Sequence, residues 1–254
     1  MLEFSEEELS RYSRHFLLKE CGTEGQKRIR RGRVLIVGAG GLGSPAALYL
    51  AAAGVGTIGI VDGDVVDLSN LQRQVIHTTA DVGRPKVESA CESIRAINPH
   101  VVAEPIYGLI TEDNAADIIG DYDFIIDATD NFAAKMLIND TCAAMGKPFS
   151  HGGIMRFEGH TFTWTPGSAC YRCIFGGEPP TDIVPPAAEV GVFGAIAGML
   201  GTIQAAEALK FLTGIGHLLT DSLLTFDATT MDFNRIRVSR NRSCAVCATD
   251  KPRP

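Results

Sequence analysis

Between an apolar run, Arg33-Val-Leu-Ile-Val37, and a small-residue helix pattern, Ser44 to Ala53, lies the hexapeptide Gly38-Ala-Gly40-Gly41-Leu-Gly43. G-x-G-x-x-G in that setting admits few folds. The chain must leave a strand, turn tightly and enter a helix whose first N–H groups face an anion. Asp62 follows Gly43 by 19 residues, after a second strand pattern at Thr57 to Val61, where a carboxylate can accept from ribose hydroxyls. Gly38, Gly40, Gly41, Gly43 and Asp62 are therefore expected to form an adenine-nucleotide site. A tight turn that binds nothing is the plain alternative.

The alternation continues. Pro45 starts the helix and Gly54 stops it; Asp62 to Thr79 is a polar loop; Pro85 opens a helix to about Ile97. Val101 to Ile106 reads as a strand, Thr111-Glu-Asp as the cap of a short helix, and Phe124 to Ala128 as a buried strand. A helix over Asn131 to Met145 and a strand over Pro148 to His151 complete the series. This order implies a Rossmann-like, doubly wound and mostly parallel sheet. Later come strands at 161–165, 223–226 and 233–238, a Gly/Pro-rich loop at 176–186 and a long helix from Val192 to Leu212. The expected organisation is one domain, with an N-terminal helical arm (1–32), a nucleotide-binding core (33–152) and a C-terminal part (153–254). The arm mixes Leu9, Tyr12, Phe16, Leu17 and Leu18 with seven basic residues, as a segment lying on a partner surface would.

Composition removes several function classes. The 254 residues are 45% hydrophobic and 21% charged, enough for a core and unlike a disordered chain. A net charge of -7 argues against nucleic acid or an anionic membrane held by bulk electrostatics. The start, MLEFSEEELS, lacks an apolar export segment, so the expected compartment is the cytoplasm. The uncharged run from Val190 to Ala206 is at the low edge of membrane-span length and Gly-rich; a buried helix whose Gly194 and Gly198 permit close packing is the better reading.

The glycine loop alone does not choose between NAD and ATP. Arg73 stands eleven residues past Asp62, Lys86 opens the next helix, and Asp130 follows a later strand. All three fall where ligands bind in such sheets. Two cations and a carboxylate suit a triphosphate with magnesium better than a nicotinamide. Each also has a plain reading: surface cations are usually solvated, and Asp130-Asn131 can simply cap a helix.

The stretches GAGGLGS, DVVDLSNLQRQ, GRPKVESA, DATDN and CYRC…CAVC together resemble the MoeB/ThiF/HesA adenylyltransferases, closest in pattern to MoeB, from about Leu9 to Cys247. These are bacterial relatives of ubiquitin-activating enzymes. The resemblance implies ATP- and magnesium-dependent activation of the C-terminal glycine carboxylate of a ubiquitin-like sulfur carrier ending in Gly-Gly, releasing pyrophosphate, for molybdopterin, thiamine or a related product. By motif position it implies that Gly41, Ser69, Asn70, Gln72 and Asn131 line the nucleotide. Asp62 would hold the ribose, Arg73 and Lys86 the phosphates, and Asp130 the magnesium. Arg14 resembles an arginine that reaches across a homodimer into the neighbouring site. An NAD-dependent oxidoreductase and a non-catalytic carrier-binding scaffold remain the rival readings.

Seven cysteines include two C-x-x-C pairs, Cys170/Cys173 and Cys244/Cys247. Four thiolates suit a closed tetrahedral zinc site that pins the C-terminal tail to the body. A redox role is the rival, and neither pair is expected to open a helix after a thioredoxin-like strand. Cys21, Cys91 and Cys142 read as apolar fillers. No cysteine occurs between Cys173 and Cys244, where relatives carry one before the long helix, which puts a covalent enzyme–carrier step in doubt. With no rhodanese-like segment in this sequence, sulfur transfer is expected to fall to a separate protein. The six histidines show no ligand spacing and read as scattered structural or surface residues.

Overall fold

The computed structural model describes residues 4–177 and 191–248; most of the Gly/Pro-rich loop and of the cysteine-free stretch before the long helix lies outside the described residues. Helices α1 (Glu6–Arg11), α2 (Ser13–Phe16) and α3 (Gly22–Arg31) lead into β1 (Arg33–Val37), α4 (Gly43–Ala53) and β2 (Thr57–Asp62). There follow α5 (Lys86–Ile97), β3 (Val102–Tyr107), α6 (Ala115–Gly120), β4 (Phe124–Asp127), α7 (Phe132–Met145), β5 (Phe149–Met155) and β6 (Glu158–Trp164). The described chain closes with α8 (Tyr171–Phe175), α9 (Gly194–Thr213), β7 (Ser222–Asp227) and β8 (Asp232–Arg237).

The strands form one sheet in the order β3-β2-β1-β4-β5-β6-β7-β8. The first five are parallel, and β6, β7 and β8 extend the sheet antiparallel. Val34, Leu35 and Ile36 of β1 are fully buried, because helices cover both faces of the parallel half. Val34, Ile36, Ile58 and Phe124 join one apolar cluster with residues of α4, α5 and α9. Leu35, Val37, Ile125 and Phe149 join another with residues of α6 and α7. From β1 the chain winds outward to β2 and β3 and then returns to β4 on the other side. That reversal opens a crevice at the carboxyl ends of β1 and β4.

Several boundaries differ from the sequence reading for physical reasons. β5 continues to Met155, past the expected end at His151, because Gly152 and Gly153 stay in its hairpin with β6. A Cβ at Gly152 would lie 2.8 Å from the Gln204 side chain, and one at Gly153 would meet the His160 ring at 2.6 Å. The glycines mark close approach, not a strand end. Thr111 does not cap α6; its own N–H donates to Asn114 Oδ1 at 2.8 Å, and Asn114 flanks the helix. The N-terminal arm packs on its own chain through part of its surface. Tyr12 is buried and its Oη accepts from Asn98, while Gln26 Nε2 donates to Ala53 O at 2.8 Å. Leu9, Leu17 and Leu18 remain exposed.

By length and composition α9 could cross a membrane. Here it places Ile196, Ala197, Leu200 and Ala208 in the core. Close approach falls at Gly194 and Gly201, whose Cβ atoms would lie 2.2 Å from Gln72 O and Leu42 O; Gly198, expected to share this role, faces open space.

Candidate active site

The glycine loop forms as it does because of two steric demands. Gly38 has φ +102°, a conformation that L side chains rarely adopt, and a Cβ there would meet Ala128 O at 2.7 Å. At Gly43 a Cβ would lie 1.9 Å from Gly38 O, so the start of α4 can approach β1 only without a side chain. Polar bonds then hold Ala39 from both sides: its N–H donates to Asp62 Oδ2 at 2.8 Å, and its carbonyl is 3.1 Å from His77 Nε2. Burial pushes His77 below the usual imidazole value, so the ring is neutral. With Nε2–H donating to the carbonyl, Nδ1 is left to accept from Ser89 Oγ at 2.8 Å.

A cavity of about 1100 Å³ opens over this loop at the strand-order reversal. Gly38, Gly40, Gly41, Asp62, Arg73, Lys86, Asp130 and Asn131 all line it. Lys86 is buried and its Nζ lies 2.9 Å from Asp64 Oδ2, a carboxylate the sequence reading did not single out. Arg73 Nη1 donates to Ser69 O at 3.3 Å. Asp130 is exposed at the cavity wall, and Asn131 Oδ1 accepts from Ala134 N, so Asn131 also serves as the cap of α7.

Other expected residues sit apart. Ser69 and Asn70 do not line the cavity; they bond with Asp67 around a short 3₁₀ turn. Gln72 is exposed, with its backbone carbonyl against Gly194. Gly43 acts through packing. Arg14 is exposed on α2, does not line the cavity and makes no ion pair among the described residues.

The sequence reading also missed a buried polar cluster on the cavity wall. Asp127, at the end of β4, lies in register with His151 on β5. His151 Nδ1 is 2.8 Å from Asp127 Oδ2, and Lys135 Nζ of α7 is 3.2 and 3.3 Å from the two carboxylate oxygens. His151 Nε2 in turn lies 3.2 Å from His160 Nε2 on β6. Burial alone would raise the Asp127 carboxyl; Lys135 and the His151 hydrogen bond outweigh it and hold the group well below the carboxylate range. Burial, then the Lys135 charge, pushes His151 down to about 4; burial and His151 push His160 down to about 3. These two histidines are not scattered, which corrects the sequence reading. The available signal was an Asp and a His at matching depth on consecutive parallel strands.

Cys170, Cys173, Cys244 and Cys247 converge, with all four sulfur atoms within 4.8 Å of one another. Pairs at 3.7, 3.7 and 3.3 Å approach the separation of about 3.8 Å that a tetrahedral Zn–S distance near 2.3 Å requires. Burial would raise the Cys244 thiol, but backbone N–H groups of Cys247 and Val246 bring it down to about 7, while burial pushes the Cys170 and Cys247 thiols up. Cys170 is the N-cap of α8, which follows the antiparallel strand β6 only after a turn at Thr165–Ser168, so neither pair has the thioredoxin-like setting. That helix is five residues long, and the two pairs face each other, as metal ligands do. Cys21, Cys91 and Cys142 are buried, as expected of fillers.

A glycine loop, an acidic residue on the next strand and a cavity at the strand reversal define a Rossmann-like α/β protein. Residues 12–246 match the model of the ThiF family, and the chain belongs to that family. It is 46% identical over 240 residues to the "SAMP-activating enzyme E1" of Haloferax volcanii, covering 94% of this chain and 89% of that protein. It is 44% identical over 257 residues to the "Sulfur carrier protein adenylyltransferase" of Thermus thermophilus, covering 99% and 94%. Among solved structures, Escherichia coli MccB with ATP superposes with a TM-score of 0.80 at 20% identity, over 97% of this chain and 83% of that one. At that identity the likeness concerns the fold.

Proposed function

We propose that this protein is an adenylyltransferase that activates the C-terminal glycine carboxylate of a ubiquitin-like sulfur carrier with ATP and magnesium, for molybdopterin, thiamine or related sulfur-transfer biosynthesis. The observation that supports this reading best is the gathering of Arg73, Lys86 and Asp130 with the glycine loop and Asp62 around one cavity. The names of the relatives point the same way.

The chemistry needs no nucleophile from the enzyme. A carrier carboxylate oxygen attacks the α-phosphorus of ATP, the bond to the bridging oxygen of the β-phosphate breaks, and pyrophosphate leaves with its electron pair. Catalysis is then positioning and charge neutralisation. Asp62 holds the ribose and the loop N–H groups face the phosphates. Lys86 exchanges Asp64 for phosphate oxygens, and Arg73 turns from the Ser69 carbonyl to the same charge. Asp130 would hold magnesium, which would supply positive charge against the departing pyrophosphate. The cysteine quartet would hold a structural zinc. In a homodimer, Arg14 reaches the neighbouring subunit's site.

Carrier-dependent ATP–pyrophosphate exchange tests the reading. Exchange should require ATP, magnesium and a carrier ending in Gly-Gly, and ATP with magnesium should raise the melting temperature while NAD does not. A clear NAD shift with no ATP effect would overturn it in favour of an oxidoreductase; nucleotide binding without exchange would favour a scaffold.

A further inference from the structure

The cavity does not end at the phosphate-facing residues. Beyond β4 and β5 its wall continues over His160 of β6, Thr225 of β7 and Asn234 of β8. The polar cluster stands at the junction of these two halves, and its hydrogen bonds can point in only one direction. An ionised carboxylate only accepts, so His151 Nδ1 carries a proton and donates to Asp127 Oδ2. A neutral imidazole has one N–H, so His151 Nε2 presents a lone pair. His160 Nε2, 3.2 Å away, must then be the donor. What remains is His160 Nδ1, a neutral acceptor with no partner among the described residues.

The ring is held for this task. Its face lies over Gly153, where a Cβ would come within 2.6 Å, and Phe175 packs on it with ring centroids 5.2 Å apart. Glu158 and Asp227, which also line this half, are carboxylates and add acceptors. Thr225 and Asn234 beside them both donate and accept, so this wall matches the N–H and C=O groups that an extended peptide supplies at a fixed spacing, with an N–H the natural partner of His160 Nδ1.

The distance along the sheet says which donor. From β4, where Asp130 follows, to β6 is two strand spacings, about 10 Å at roughly 4.8 Å each. An extended peptide covers that in about three residues, at roughly 3.3 Å per residue. Resting on the adenylylation reading above, we infer that His160 Nδ1 accepts a backbone N–H of the carrier tail about three residues before its C-terminal carboxylate. His160 is thus a substrate-binding residue for the peptide, while Arg73, Lys86 and Asp130 serve the nucleotide.

Carriers in which one of the last four peptide bonds is replaced by an ester, removing a single N–H, give the test. With the unaltered enzyme, one of these esters should raise the KM for the carrier about fivefold, the effect of one neutral hydrogen bond. The KM for ATP and kcat should stay as they are. His160→Phe keeps a ring against Gly153 and Phe175 but has no acceptor; it should lose the discrimination and treat amide and ester alike. His160→Asn, which restores an acceptor at the δ position, should regain it. The ATP–magnesium melting shift of each variant verifies that the fold and nucleotide site persist. A His160→Phe enzyme with a normal shift and undiminished ester discrimination would overturn this inference and leave adenylylation standing. Absence of carrier-dependent exchange in the unaltered enzyme would overturn both.

Discussion

Replacing Lys135 by methionine should be among the most damaging single changes on the cavity wall. Its Nζ contacts both oxygens of Asp127 and donates to Gly152 O at 2.7 Å, and both side chains are buried, at 7% and 1% exposure. Methionine fills a similar volume, so the cost is electrostatic. Asp127 keeps donors from His151 Nδ1 and from Thr129 N and Oγ1, but it loses its cationic contact with Lys135, and the Gly152 carbonyl loses this donor. Breaking a buried pair by removing one partner costs about 3–5 kcal/mol. The surviving donors place this case near the lower end, about 3 kcal/mol. In a chain of this size each kcal/mol moves the melting temperature by about 2–4 °C. The expected fall is therefore about 6–12 °C in a thermal melt at pH 7.5. Adding Asp127→Asn to Lys135→Met should recover part of the loss, since it removes the stranded charge. The deficit of the single variant should also shrink on acidification, because Asp127 can then escape by taking a proton. A Lys135→Met protein melting within 2 °C of the unaltered one would show that the pair contributes no such stability.

Further outcomes follow from the other clusters. His151 and His160 have folded-state values of about 4 and about 3 against an ordinary 6.5, so the unfolded chain takes up protons first as pH falls. Stability should be full above about pH 6.5 and decline towards the folded values, with a slope approaching about 2.7 kcal/mol per pH unit for two groups; urea midpoints that stay flat from pH 7 to 5 would contradict this. One zinc per chain is expected by metal analysis, and Cys244→Ser should release it and expose the tail to protease while the ATP–magnesium melting shift persists; zinc-free protein purified without chelators would remove the metal assignment. Arg14→Ala and Lys86→Ala should each be nearly inactive in carrier-dependent exchange, whereas their mixed dimer should regain one working site of two. An inactive mixture with proven subunit exchange would mean that Arg14 does not act in trans.

Much of the nucleotide half was legible because its determinants are local. The run Val34 to Val37 is apolar at every position, as only a strand covered on both faces tolerates, and it forms β1. Gly38 and Gly43 are required by contacts with Ala128 O and Gly38 O, demands that any tight strand-to-helix turn repeats. Asp62 could be placed because the end of the next strand is set by the same winding. Asp67, Ser69 and Asn70 were harder: a polar loop shows that it is polar, not that these side chains bond one another around a turn, as they do.

By itself, then, the sequence determined which segments must be strand, turn and helix, and that four cysteines stood in two pairs. Tertiary structure decided which distant residues meet. Cys170 and Cys244 are separated by 74 positions, yet their sulfur atoms lie 3.7 Å apart. Lys135 on α7 has no special pattern in sequence; it becomes one half of a buried ion pair only because the fold brings α7 beside Asp127 of β4 and Gly152 of β5. His151 and His160 look unrelated until the β5–β6 register sets them diagonally across one face. Local sterics and hydrophobic patterning act over a few residues and can be read along the chain. Charge pairing and tautomer choice depend on distances through space, and those exist only once the sheet has closed.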